Sequence, residues 1–351
     1  MNIALISLGS GGTMGHMSVL TRLAVELKKY KYNYKILSDH DYKQFSNQAL
    51  QDTDFIKLPK QEHTKTTGGL LTYKYSEQLF KIIKKERFDA VIFSTFFDKN
   101  LVSKIRGIEV NTFLINYPLR DSHRKVMKFR HYNKYFTKIF TLQGLSNTKI
   151  VFSNEILVSP MLKIDKSSES LTFKKILISP GGGGRPSTEM FFRIMQEAIN
   201  KLHKERPFVE FYAIKGNSNF IFDENTVKML RWSNNFLEFA STFDLVISEA
   251  GYFSVTEMLS IGKPCLLIPG ERRIDNQELR ALQYEELGCG KCIFPQEDPC
   301  KIVDSINELV DTKGLIQRQS ENSIKVCKNI LLSETPLIVA LKDELKNINS
   351  R

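Results

Sequence analysis

The sequence predicts an α/β protein built from two consecutive domains, each a parallel sheet covered by helices. Three observations carry that prediction: the length of the chain, a strand–helix alternation that runs, stops and restarts, and a glycine cluster after the opening strand of each half. At 351 residues the chain is long for one hydrophobic core and suits two domains of about 150 to 200 residues each. Its 42% apolar and 25% charged residues are ordinary for a globular protein and exclude collagen-like or disordered classes. No internal period marks a repeat array.

In the first half, Asn2–Leu8, Tyr34–Ser38, Phe88–Ser94, Asn111–Asn116, Lys138–Leu142 and Ile150–Phe152 read as strands. Met17–Lys29 and Thr72–Lys85 read as helices between them. After Pro160, the polar run Lys163-Ile164-Asp165-Lys166-Ser167-Ser168-Glu169-Ser170 has no period and reads as a linker. The alternation then resumes. Lys174–Ser179, Phe208–Ile214, Phe236–Ala240, Leu245–Ser248 and Cys265–Ile268 read as strands, and Ser187–Lys204, Ser254–Ile261, Asp275–Leu287 and Pro299–Val310 as helices. Short apolar strands alternating with amphipathic helices mean parallel sheets. The boundaries follow: a first domain over 1–160, a linker over 161–173, a second domain over 174–334, and a C-terminal helix within 335–351 packing back on the first domain. Open parallel sheets take ligands at the carboxyl ends of their strands, where the topology switches.

Location is read from what the ends and cysteines show. Met1-Asn2-Ile3-Ala4-Leu5-Ile6 lacks a basic segment and runs into glycines, so it reads as a strand and not a secretory signal. No apolar run approaches the roughly 18 residues of a membrane span. Cys265, Cys289, Cys292, Cys300 and Cys327 are odd in number and crowd into the last quarter, which points to a reducing cytoplasm. The net charge of +11 is lopsided: residues 1–165 hold 26 Lys and Arg against 14 Asp and Glu, while 166–351 hold 24 against 25. The basic first half suits an anionic partner such as a phosphorylated acceptor or a membrane surface, against the plainer reading of a solubilising surface. Arg124–Lys138 interleaves cations with aromatics, so that Met127, Phe129, Tyr132, Tyr135 and Phe136 line one helix face with cations on its rim. The expected location is cytoplasmic, with peripheral attachment to the inner face of the membrane as the further option. No nucleic-acid-binding module accompanies the charge, so nucleic acid is not an expected partner.

Three blocks carry chemistry. Gly9-Ser10-Gly11-Gly12-Thr13-Met14-Gly15-His16 lies between a strand and a helix, where Gly11, Gly12 and Gly15 permit close backbone approach to a ligand. His16 at the helix head is suited to take a proton from a hydroxyl nucleophile; a capping or packing histidine is the structural alternative. Pro180-Gly181-Gly182-Gly183-Gly184-Arg185-Pro186-Ser187 puts four glycines between a strand and a helix. Its backbone amides and the helix dipole form a diphosphate site without a metal, Arg185 adds a charge-assisted contact, and a flexible hinge is the alternative. The third block is Ser248-Glu249-Ala250-Gly251-Tyr252-Phe253-Ser254-Val255-Thr256-Glu257, followed by Gly262-Lys263-Pro264, the strand 265–268 and Asp275-Asn276-Gln277-Glu278-Leu279-Arg280-Ala281. Glu257 lies among apolar neighbours inside a helix, and a carboxylate there is sustained by donors such as a ribose diol. The amides of Asn276 and Gln277 offer both donor and acceptor to sugar hydroxyls.

Together these blocks resemble the GT-B nucleotide-sugar glycosyltransferases, and among them the group of lipid II-forming N-acetylglucosaminyltransferases. The resemblance covers residues 3–27 and nearly all of 174–295. It implies two Rossmann-like domains facing a central cleft, a UDP-type donor held mainly by the second, and a glycan, lipid-linked or small-molecule acceptor at the first. By position, Gly181, Gly182, Gly183 and Gly184 cradle the diphosphate, the Phe236 backbone meets the base, Gly251 approaches the phosphates, and Glu257 holds the ribose. Asn276 and Gln277 face the donor sugar, and His16 takes the place of the base. The resemblance further implies inversion at the anomeric centre, no metal and no cofactor besides the donor. Members often have Asn where Arg280 stands, so arginine there points to an acidic sugar or an altered pocket. Glu249 and Tyr252 are likewise atypical beside Gly251.

Other signals compete weakly. Asp39-His40-Asp41 has the spacing of a metal–diphosphate triplet but falls where a polar loop is due. Cys289-Gly290-Lys291-Cys292 has metal spacing without a nearby fourth ligand. Thr66-Thr67-Gly68-Gly69-Leu70-Leu71 reads as a mobile acceptor loop. The rival functions are a nucleotide-sugar hydrolase or epimerase on the same fold, a nicotinamide oxidoreductase using the Gly9 loop, and a non-catalytic binding module. The Gly9 loop lacks the third glycine of a dinucleotide fingerprint, which weighs against the oxidoreductase.

Overall fold

The computed structural model describes all residues except 8–14, 40–49, 52–53, 59–62, 68–69, 74–75, 147, 166–172, 183–185, 234, 273, 295–297 and 350–351. They form two compact units, the first from most of residues 1–161 with 332–351, the second chiefly from 162–331.

The first unit begins with β1 (Asn2–Ser7), buried over its last five residues, and α1 (Gly15–Lys29). Met17, Leu20, Leu23, Ala24 and Leu27 are buried at three- and four-residue spacing along α1, and Lys28 and Lys29 complement the dipole at its end. There follow β2 (Asn33–Ser38), β3 (Phe55–Lys57), the hairpin strands β4 (His63–Thr67) and β5 (Leu70–Tyr73), and α2 (Ser76–Glu86). Then come β6 (Ala90–Ser94), α3 (Lys99–Arg106), β7 (Asn111–Asn116), α4 (Asp121–Phe129), β8 (Lys138–Leu142) and β9 (Glu155–Val158). The main sheet is wholly parallel, in the order β3-β2-β1-β6-β7-β8-β9. Its order reverses between β1 and β6.

Four expectations are corrected in this unit. Thr72 and Tyr73 belong to β5 and the helix starts at Ser76, whose Oγ donates to the Asp98 Oδ2 at 2.8 Å. Residues 63–67 and 70–73 form an antiparallel pair, so the stretch read as a loop is mostly strand, while Gly68 and Gly69 lie outside the described residues. Ile150–Phe152 is not a strand. The amides of Val151 and Phe152 are instead drawn to the Glu155 carboxylate at 2.7 and 3.2 Å, and pairing begins at Glu155. The aromatic-basic segment also differs from its reading: α4 buries Arg124 and Met127, leaves Phe129 83% exposed, and stops where His131 turns left-handed (φ 53°). Tyr132 and Phe136 then pack edge-on against Phe97, with ring centroids 5.0 and 4.7 Å away.

The second unit comprises β10 (Lys175–Ile178), α5 (Pro186–Glu205), β11 (Glu210–Ile214), β12 (Val227–Leu230), α6 (Phe236–Ser241), β13 (Leu245–Ser248), α7 (Tyr252–Ser260), β14 (Cys265–Leu267), α8 (Gln277–Glu286), β15 (Gly290–Cys292), α9 (Pro299–Asp311) and α10 (Leu315–Val326). Its sheet is also parallel throughout, ordered β12-β11-β10-β13-β14-β15, and reverses between β10 and β13. Phe191, Phe192, Met195, Ile199 and Leu202 along α5 pack with Ile302, Ile306 and Leu309 of α9 over one sheet face. Phe236–Ala240 is a helix here and not a strand. Its apolar residues sit at i, i+3 and i+4, which suits a helical turn better than strict alternation.

The chain closes with α11 (Leu337–Asn349), which belongs to the first unit. Ser159 anchors the approach to it, donating through its amide to Thr335 O (3.0 Å) and through Oγ to Glu334 O (2.7 Å). Along α11, Glu344 pairs with Lys138 at 3.1 Å and the Lys342 ammonium lies over the Tyr30 ring.

Candidate donor site

The two glycine-bearing turns of the second unit leave β10 and β13, the neighbouring strands at which its sheet order reverses. That is the crevice where open parallel sheets hold ligands. Gly181 adopts φ 90°, a conformation that side-chain-bearing residues rarely reach, and a Cβ added there would lie 3.7 Å from Ser254 Oγ. A Cβ at Gly251 would lie 3.7 Å from the same hydroxyl and 3.9 Å from Gln277 Nε2. Gly181, Gly251, Ser254 and Gln277 therefore converge, although they come from three separate loops or helices. Gly182 is fixed from the other side: its carbonyl accepts from the Asn217 amide at 3.1 Å, and Gly216 (φ 58°) passes so close that a Cβ would stand 2.6 Å from that carbonyl. Trp232, the single tryptophan, touches the same place, 3.3 Å from that added Cβ.

Gly251 is the N-cap of α7 and supplies no side-chain cap, so the first amides of that helix are not capped by it. Ser254 and Glu257 are three apart and share a helix face. Glu257 is 8% exposed, its carboxylate within a helix whose other described neighbours are mostly apolar. Phe236 is half-buried as the first residue of α6, so its amide is one of those that helix geometry leaves without an intrahelical partner. α6 packs against α7.

Gln277 is buried, and its Oε1 accepts from the Gly270 amide at 3.1 Å, which aims its Nε2 end toward Gly251. Asn276 is the N-cap of α8, its side chain accepting from the Leu279 amide at 3.4 Å. Arg280 is 6% exposed and has partners of its own. One guanidinium nitrogen donates to Ala250 O at 2.7 Å, another to Asp275 Oδ1 at 2.6 Å, and the group lies 5.5 Å from the Tyr252 ring centre. Ala250 is left-handed (φ 61°), costly for a residue with a Cβ, and Arg280 braces that turn. Asp275 is the counter-charge of Arg280.

Sequence reasoning did not rank Ser254, Gly216, Trp232 or Arg272. Ser254 had a signal, three residues after the N-cap glycine; Gly216 and Trp232 become neighbours of the loop only through the fold. Arg272 ties the loops after β13 and β14 to the head of α5, donating to Glu249 Oε2 at 2.9 Å and to Ser187 Oγ at 2.7 Å. The Gly262-Lys263-Pro264 block is structural. Gly262 (φ 65°) makes the turn, and the buried Lys263 ammonium donates to Phe243 O at the amino ends of the strands, opposite the site. Burial lowers the Lys263 pKa, partly opposed by Asp244.

Gly183, Gly184 and Arg185, and likewise Gly11 and Gly12, lie outside the described residues. Gly15 opens α1, and His16 follows it in the helix with its side chain outside the description. Of Asp39-His40-Asp41 only Asp39 is described. Among the described residues no three His, Cys, Asp or Glu side chains gather as for a metal, and no helix is long and apolar enough to cross a membrane.

Residues 182–331 fit the glycosyltransferase family 28 C-terminal domain. The UDP-N-acetylglucosamine–N-acetylmuramyl-(pentapeptide) pyrophosphoryl-undecaprenol N-acetylglucosamine transferase of Caldicellulosiruptor saccharolyticus is 24% identical, over 93% of this chain and 95% of its own. The crystal structure of Acinetobacter baumannii MurG superposes with a TM-score of 0.64 at 14% identity, covering 99% of this chain and 100% of that one. The glycosyltransferase VinC in complex with dTDP gives 0.66 at 10% identity and covers both chains fully, at 100%. The chain thus has the GT-B fold, and its second half matches a glycosyltransferase domain. More particularly, the chain carries a glycosyltransferase family 28 C-terminal domain in its second half and has distant relatives of the MurG kind over most of its length.

Proposed function

We propose that this glycosyltransferase moves a hexosyl or N-acetylhexosaminyl group from a UDP-type donor to an acceptor hydroxyl, with inversion and without a metal. The convergence of Gly181, Gly251 and Ser254 at the reversal between β10 and β13 is the observation that carries the reading. Glycine-lined backbone at two helix N-termini is a ready site for a diphosphate. In this scheme the loop from Gly181 to Gly184, with Arg185, and the first turn of α7 hold the diphosphate. Glu257 accepts from the ribose hydroxyls, the Phe236 amide meets the base, and Asn276 and Gln277 read the sugar. The acceptor binds beside Gly11, Gly12 and Gly15. There His16 takes the proton of its hydroxyl, the oxygen attacks the anomeric carbon, and the bond to the diphosphate breaks with its electron pair leaving on UDP. Preorganised amides stabilise the charge that develops on that leaving group. The names of the relatives, a UDP-N-acetylglucosamine transferase and a dTDP complex, support a nucleoside-diphosphate sugar.

The exposed Phe129, flanked by Lys125, Lys128 and Arg130, supports a peripheral seat on an anionic membrane at its cytoplasmic face, which suits a lipid-linked acceptor. The donor reading is tested by titrating nucleoside diphosphates while following Trp232 fluorescence. UDP is expected to bind most tightly, and Glu257→Ala to weaken it by about tenfold to a hundredfold, as for lost hydrogen bonds to a charged group. Equal UDP affinity in wild type and Glu257→Ala at unchanged thermal midpoint would remove Glu257 from the site; no nucleoside diphosphate binding at all would remove the function.

A further inference from the structure

A guanidinium at the head of a helix is electrostatically misplaced, because the N-terminal end of the dipole is itself positive. Arg272 is in that position. Its Nη1 donates to the hydroxyl of Ser187, the second residue of α5, and its side chain is only 9% exposed. Its counter-charge is Glu249, 2% exposed, whose Oε2 also accepts from Thr188 Oγ1 at 3.4 Å in the same helical turn. Both groups stand at the carboxyl ends of strands, Glu249 directly after β13 and Arg272 in the loop after β14. The α7 N-terminus begins two residues beyond Glu249. One buried carboxylate therefore meets a cation and the first turn of α5. A buried pair of this kind contributes little net stability compared with apolar residues of similar size, so stability alone does not account for it.

We infer that Arg272 is a donor-binding residue, the cation that meets the diphosphate at the head of α5, and that Glu249 holds it there as a stand-in counter-ion. The inference rests on the donor reading above and adds a residue to it. Its consequence is a difference in sign. A purely structural pair predicts that losing either partner weakens the site. A diphosphate-binding Arg272 predicts that neutralising Glu249 leaves UDP affinity unchanged or raises it, while neutralising Arg272 lowers it.

The test measures UDP and uridine binding by calorimetry for wild type, Glu249→Gln and the double variant Glu249→Gln/Arg272→Gln, which avoids leaving a buried carboxylate unpaired. Glu249→Gln is expected to bind UDP at least as tightly as wild type. The double variant is expected to bind UDP about tenfold or more weakly than Glu249→Gln, as for one charge-assisted contact. Uridine affinity should be alike in all three. The inference is overturned if Glu249→Gln weakens UDP as much as the double variant does, or if uridine and UDP fall together. If wild type binds no UDP, the donor reading fails and the inference with it; a wild type that binds UDP beside variants without the sign difference fails the inference alone.

Discussion

Two buried arginine–carboxylate pairs share an N–O distance of 2.9 Å, Arg124–Glu155 in the first unit and Arg272–Glu249 in the second. Their surroundings differ. The Glu155 carboxylate accepts from Arg124 of α4 and from Thr141 Oγ1, Val151 N and Phe152 N, the last three at the entry of β9 or in the strand beside it. Arg124 also donates to Lys149 O, completing a clasp around residues 149–155. That pair replaces strand pairing where the chain bends into the edge of the sheet. Arg272–Glu249 instead links the loops after β13 and β14 to the head of α5, at the ligand edge of the second sheet. The same chemistry is a staple in one unit and part of a binding surface in the other, and position on the sheet decides which.

The largest effect should come from His16→Ala, which separates the roles of the two units most sharply. Turnover is expected to fall by roughly 10²-fold or more, the usual worth of a general base, with UDP affinity unchanged. An unaltered rate in a steady-state assay would take His16 out of the reaction. Next is Arg124→Met, which strands a buried carboxylate. It should cost ~3–5 kcal/mol in urea unfolding of the first unit while the UDP dissociation constant stays put. A weakened UDP affinity without lost stability would break the comparison, because the staple would then be acting on the ligand.

A smaller effect concerns pH. All five cysteines fall in the second unit, and burial pushes the thiols of Cys265 and Cys289 up to about 12. A thiol raised in the folded state keeps its stabilising contribution below its unfolded value near ~8.5 and loses it as pH climbs toward the folded value. Between pH 7.5 and 9.5, wild type should therefore lose ~1 kcal/mol relative to Cys265→Val, measured by denaturant unfolding monitored at Trp232. Parallel stability curves would show that burial of Cys265 does not set its ionisation. The comparison with Cys265→Val cancels the opposite trend from Lys263, whose lowered pKa relieves a desolvation penalty as pH rises.

Much of the fold was legible because the apolar periods were clean. Asn111–Asn116 and Lys138–Leu142 are strands to the residue, and the glycine turns at 181 and 251 fall at the reversal point of their sheet. The misreadings have physical causes. Ile150–Phe152 carries β-branched and aromatic residues, but a carboxylate three residues later captures its amides. Phe236–Ala240 reads as a strand by its apolar content, although its i, i+3 and i+4 spacing is that of the helix that packs on α7. In the site, glycines and the helix-borne Glu257 stand out locally. Arg272 does not, because its meaning depends on Ser187 and Glu249, 85 and 23 residues away. For Arg280 the sequence shows both the charge and Asp275 nearby, but not that the two pair or that Arg280 also donates to the carbonyl of the left-handed Ala250.

Whether the nucleotide is held where the second sheet reverses is most directly answered by amide hydrogen exchange with and without UDP. Slowed exchange over 179–190 and 249–257, with the segment 138–158 unaffected, is the predicted result. Protection confined to the first unit, with those two stretches exchanging as before, would contradict it.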